Sequence, residues 1–70
     1  MADVPAHITG TVWKIEVQVG QQVAAGDTLV ILESMKMEMP VETEEAGTVK
    51  EIRCKETQAV NEGDVLVVLE

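Results

Sequence analysis

The residues best suited to chemistry in this 70-residue chain lie in one segment, Glu33-Ser34-Met35-Lys36-Met37-Glu38-Met39-Pro40. Its centre is a lysine bracketed by two methionines. A lysine amine is protonated at neutral pH and is a poor nucleophile until a partner takes its proton. Once acylated it becomes a long, neutral tether. Methionine is unbranched and polarizable, so the pair can offer an adaptable apolar surface to another protein. If the run ending at Leu32 pairs with the run around Val41 as a hairpin, the turn falls at Met35 and Lys36. Two-residue hairpin turns need positive φ at both central positions and favour Asn-Gly or Asp-Gly, unlike Met and Lys. Local sequence and geometry then disagree, as they do where a functional demand overrules propensity.

No other set of residues assembles a second site. One histidine, His7, and one cysteine, Cys54, cannot cage zinc, and a single cysteine closes no internal disulfide. His7 reads as an exposed polar residue, Cys54 as a small core residue, and Trp13 as a partly covered surface aromatic. Met39 reads as gap filler, and Glu42, Glu44 and Glu45 as the solvated face of a turn. The glycines are isolated, so there is no phosphate-cradling loop. Five Lys and Arg against 13 Asp and Glu give a net charge of −8. Such a surface repels phosphate and disfavours nucleic acid and anionic membranes as partners. No run reaches transmembrane length and no signal peptide opens the chain, so we expect a soluble, cytoplasmic protein. A chain this short has little room for a buried cleft, which argues against a self-sufficient enzyme. Met1 and the lack of a Pro/Ala-rich linker lead us to expect a complete small protein, monomeric in isolation.

The elements that position the lysine follow from an internal repeat. A shift of 37 places residues 10–33, GTVWKIEVQVGQQVAAGDTLVILE, on residues 47–70, GTVKEIRCKETQAVNEGDVLVVLE, with 12 of 24 positions identical. Unrelated chains would match at roughly one or two. Each copy opens on a glycine and runs through a β-rich stretch, with Val12 and Ile15, or Val49 and Ile52, three apart. That spacing predicts a bulge or sharp bend at residues 13–14 and 50–51. Gly26-Asp27 and Gly63-Asp64 predict turns before the apolar strands Leu29–Leu32 and Leu66–Leu69. Pro5 and Pro40 near the starts of matching strands fit edge positions. Together these features predict an all-β sandwich or barrel of about eight short strands, with pseudo-two-fold repeat halves of about residues 3–36 and 40–70.

Met-Lys-Met set between two such half-repeats, each with a Gly-Asp turn, resembles the biotinyl/lipoyl attachment domain over essentially all of residues 3–70. The resemblance implies a flattened barrel-sandwich hybrid of two four-stranded sheets with the lysine hairpin at one end. It implies that biotin protein ligase acylates Lys36 with biotin from biotinyl-adenylate, that Met35 and Met37 help the ligase recognise the tip, and that Glu33 and Ser34 support it. In the family a biotin carboxylase loads CO2 on the biotin and a carboxyltransferase passes it to an acyl-CoA or a 2-oxo acid. Two departures stand out. Ser34 occupies a place where most biotinyl domains have Ala, and Glu33-Ser34 resembles what precedes the lysine in lipoyl domains. The connection Gln18–Gln22 is also too short for the protruding thumb of the bacterial acetyl-CoA carboxylase carrier.

Three functions of different classes therefore stand at this level: a biotin carboxyl carrier, a lipoyl carrier for acyl or aminomethyl transfer, and an unmodified interaction module. Dual attachment of biotin and lipoate is a variant of the first two. In each case the chain itself contributes no catalytic residue and no metal ligand.

Overall fold

Alternating apolar residues separated by turn signals give eight strands in the computed structural model, which describes residues 2–70. They are β1 (Ala2–Pro5), β2 (Gly10–Ile15), β3 (Gln22–Val23), β4 (Thr28–Ser34), β5 (Met37–Glu42), β6 (Gly47–Ile52), β7 (Ala59–Val60) and β8 (Val65–Leu69). Met1 lies outside the described residues. The strands form two four-stranded antiparallel sheets, ordered β1-β8-β6-β3 and β5-β4-β2-β7. Advancing each strand of one sheet by one repeat yields the order of the other, so the expected pseudo-two-fold exchanges the sheets. Each sheet draws two strands from each half. Neither half can close a sheet alone, and the repeat is an interlocked pair rather than two subdomains.

The bulges occur where the spacing placed them. In the β2–β4 ladder Val12 pairs with Leu32 and Lys14 with Ile31, leaving Trp13 as the extra residue. In the β6–β8 ladder Val49 pairs with Leu69 and Glu51 with Val68, leaving Lys50. An extra residue on one strand increases local twist and bends the sheet around its core. The eight largest fully buried side chains are four repeat pairs: Val12 with Val49, Leu29 with Leu66, Val30 with Val67, and Leu32 with Leu69. Cys54 is buried like its counterpart Val17, and that burial pushes its thiol pKa up, keeping it an unreactive core residue. Met39 is half-buried beside Leu32.

Repeated hydrogen bonds explain the repeated Gly-Asp. The Asp27 Oδ2 accepts the Ala24 N–H at 2.8 Å, and Asp64 Oδ2 accepts the Asn61 N–H at the same distance. The Gly26 N–H donates to Thr43 O and the Gly63 N–H to Ala6 O, tying each turn to the segment after an edge strand. Pro5 and Pro40 do lie on the edge strands β1 and β5, but not near their starts. Pro5 ends β1 and Pro40 is fourth of six residues in β5. An edge strand leaves alternate N–H groups without a ladder partner, so proline is accommodated even in mid-strand.

At one positive-φ position the two copies share the backbone but not the residue. Thr57 has φ +74° where its counterpart Gly20 has φ +92°. Both N–H groups make the same bond, Thr57 to Val12 O at 2.7 Å and Gly20 to Val49 O at 2.8 Å. A β-branched residue in this left-handed region costs about 1–2 kcal/mol, partly offset by the lower chain entropy it has when unfolded. Thr57→Gly is expected to raise the melting temperature by about 3–6 °C in thermal denaturation. An unchanged or lower value would show that the Thr57 side chain makes compensating contacts.

Candidate functional site

The lysine segment is the hairpin joining β4 to β5. Ser34 pairs with Met37, so the turn consists of Met35 and Lys36 alone. Their φ values are +54° and +63°, the left-handed pair of a type I′ turn. Each non-glycine residue held there costs on the order of 1–2 kcal/mol. The two strands that pin the turn are long, with seven and six residues, and their pairing runs from Thr28↔Glu42 to Ser34↔Met37. Glu33 and Glu38 face one another one row below the closing pair, and like charges in that arrangement add to the local cost.

Gly10 supports the root of the hairpin from β2. A Cβ at this position would lie 2.5 Å from the Glu33 carbonyl oxygen and 3.4 Å from the Ser34 Cβ. At the repeat counterpart, Gly47, the corresponding approach to Glu70 O is 3.1 Å. The absence of a side chain thus lets β2 press against the two residues that lead into the turn. Sequence reasoning treated both glycines only as the opening of each repeat. The signal was present in their identity across the copies, but the closeness of the strands was not.

Lys36 is exposed, and among the described residues no ion pair engages its amine. Met35 is 92% exposed and Met37 59%, so both present their thioethers to solvent beside the lysine. Glu33 is exposed and Ser34 half-buried. The structure therefore brings Glu33, Ser34, Met35, Lys36 and Met37 into one hairpin. An exposed primary amine on a fixed tip is what covalent attachment of an acyl cofactor demands, and the residues fit such a group.

The remaining candidates lie elsewhere. His7, Asp3, Glu42, Glu44 and Glu45 line an open groove of about 660 Å³ between edge strands β1 and β5. The Thr43 Oγ1 donates to Glu45 O at 2.7 Å and accepts the Glu45 N–H at 3.1 Å, which shapes the acidic turn from within. Trp13 is 47% exposed at its bulge. Arg53 pairs with Glu51, whose hydrogen bond and charge further favour the protonated guanidinium.

A family model described as "Biotin-requiring enzyme", that of the biotin/lipoyl domain, matches residues 1–69. The chain belongs to this family. It is 56% identical over 39 residues to the "Biotinylated protein TB7.3 homolog" of Mycolicibacterium smegmatis, covering 56% of this chain and 55% of that protein. It is 47% identical over 44 residues to the "Biotin/lipoyl attachment protein" of Bacillus subtilis, covering 63% and 60% respectively. The matches thus span little more than half the length of these relatives. The fold superposes on the Kluyveromyces lactis urea carboxylase with a TM-score of 0.93 and 36% identity, covering 99% of this chain and 6% of that one. The biotin/lipoyl fold expected from the lysine hairpin and the repeat is the fold observed.

Proposed function

We propose that the chain is a biotin carboxyl carrier whose Lys36 is acylated by biotin protein ligase. The observation that carries this reading is Lys36 held at positive φ on an exposed hairpin tip between two exposed methionines, in a member of the biotin/lipoyl family. The free amine of Lys36 attacks the acyl carbon of biotinyl-adenylate, an amide bond forms, the acyl–phosphate bond breaks, and AMP leaves. The ammonium proton passes to the ligase, because the tip offers no buried base. Met35 and Met37 give the ligase its apolar contact, and Glu33 and Ser34 anchor the turn to β4. Acylation removes one positive charge and takes the net charge from −8 to −9.

Bound biotin supplies the ureido nitrogen on which CO2 is carried. The chain's own part is to present one amine at one place and to confine the tether near a biotin carboxylase and a carboxyltransferase, raising the local concentration at each. In this reading it is a cytoplasmic carrier, a substrate of its partners rather than a catalyst. Glu33-Ser34 before the tip, together with the similarity to the biotin/lipoyl attachment protein of Bacillus subtilis, favours lipoate on the same lysine as the second reading.

Intact mass and an avidin blot of protein made with an active ligase and ample biotin separate these outcomes. A biotin-sized gain, absent in Lys36→Arg, is expected. A lipoyl-sized gain would reverse the order of the two readings, and no gain would end both.

A further inference from the structure

The repeat gives the outward positions of one sheet counterparts on the other, so what the fold requires is common to both faces. A difference between them marks something besides folding. On the hairpin sheet the register sets Lys14, Ile31 and Pro40 side by side, and Trp13 is the bulge residue immediately before Lys14. Ile31 and Pro40 line a shallow depression of about 550 Å³, Pro40 is exposed, and Trp13 is 47% exposed. On the opposite sheet the residues related by the repeat are Lys50 for Trp13, Glu51 for Lys14, Val68 for Ile31 and Asp3 for Pro40. There Val68 is only 6% exposed, and Glu51 pairs with Arg53, which stands where the hairpin sheet has Glu16. One face is closed over by charged side chains. The other leaves an aromatic, an aliphatic and a proline open.

The rim differs as well. Glu16, Glu33, Glu38 and Glu42 surround the apolar strip with Lys14 as their counter-charge, whereas the opposite face sets Asp3, Glu51 and Glu70 against Lys50 and Arg53. The Ile31↔Pro40 row is continuous with the tip, three ladder rows below Ser34↔Met37, or about 10 Å at the usual strand rise.

We propose that this face, centred on Trp13, Ile31 and Pro40, docks the biotin carboxylase, through a surface on that enzyme with an apolar recess for the indole inside a rim of Arg and Lys. The assignment rests on the carrier reading above. An aromatic anchor within a charged rim is the usual anatomy of an interface that combines affinity with steering. Acylation of Lys36 removes one positive charge from the tip, three residues along the chain from Glu33 and two from Glu38. The biotinylated carrier, which the carboxylase meets, is therefore one charge more negative than the unmodified form, which the ligase meets.

Trp13→Lys combined with Pro40→Asp installs the residue types that the fold already carries at Lys50 and Asp3. Wild type and variant, both biotinylated and confirmed by intact mass, are compared as substrates of a purified biotin carboxylase over a range of carrier and salt concentrations. The variant is expected to melt within a few degrees of wild type and to be biotinylated at a kcat/KM within about threefold. Its KM with the carboxylase should rise at least about tenfold with kcat little changed, and the wild-type KM should rise with salt. If the double variant fails to fold, Glu16→Arg, again the counterpart residue type, is expected to raise the same KM about threefold. An unchanged carboxylase KM in a folded variant overturns the proposal. So does an equal or larger rise with the ligase, which would give the face to the modifying enzyme, or a wild-type dimer that the variant abolishes, which would give it to a second copy. A wild type that gains no biotin mass instead defeats the carrier reading, before any carboxylase is added.

Discussion

Exchanging the two turn residues, Met35→Lys with Lys36→Met, is expected to cut the initial rate of biotin incorporation at least ~100-fold while leaving the melting temperature unchanged within error. The exchange conserves composition and net charge, and both positions already hold a long unbranched side chain at positive φ. Met35 is 92% exposed, so a lysine placed there is fully open to solvent. What changes is where the amine stands. Neighbouring Cα atoms are about 3.8 Å apart, and the two central side chains of a tight turn leave it in different directions. Misplacement by about 1 Å can already cost 10²-fold when a reaction depends on a near-attack geometry. The rate is read by avidin blot or intact mass against time at a limiting ligase concentration. Incorporation within threefold of wild type would mean that accessibility suffices and that the turn does not select the lysine.

The turn also shows how far the sequence could be read. Met-Lys at the tip of a two-residue hairpin was recognisable as a conflict because the geometry demands positive φ, and both residues have it. The bulges at Trp13 and Lys50 were visible because the alternation breaks at the same place in both copies. Pairing between the halves was not visible. Val4↔Val67 and Gly10↔Val60 join the two halves, yet the hydrophobic pattern is equally compatible with an interlocked or a side-by-side arrangement, since non-local pairing leaves no local trace. Thr57 escaped notice for another reason. Its alignment with Gly20 was a hint of positive φ, but a mismatch within a repeat carries that meaning only once the backbone of one copy is known. The exposed face around Trp13 became legible only when the register set Ile31 and Pro40 in one row with Lys14, the residue that follows Trp13 in the bulge.

Gly10→Ala is expected to damage both the fold and the presentation of the lysine, and Gly47→Ala much less of either. The added methyl at position 10 would sit 2.5 Å from the Glu33 carbonyl oxygen, a separation that real side chains do not tolerate. That oxygen belongs to backbone, so relief requires β2 and β4 to move apart in the middle of their sheet, where β2 is also paired with β7. Overpacking of this kind costs about 1–3 kcal/mol. In a domain of this size that corresponds to a loss of roughly 5–20 °C in melting temperature. At position 47 the equivalent contact is 3.1 Å, which a shift of a few tenths of an ångström can accommodate. The loss there should be less than half as large. The two variants also differ in what they displace. Moving Glu33 and Ser34 tilts the hairpin that carries Lys36, whereas moving Glu70 disturbs the corresponding end of the opposite sheet. Below the melting transition, Gly10→Ala should therefore lower the ligase kcat/KM about tenfold or more, with Gly47→Ala within about twofold of wild type. Equal effects of the two substitutions on the ligase, at temperatures where both are folded, would show that the close approach of β2 serves the sandwich alone. A selective loss at Gly10 would show that one copy of a repeated contact has been tightened to hold the tip.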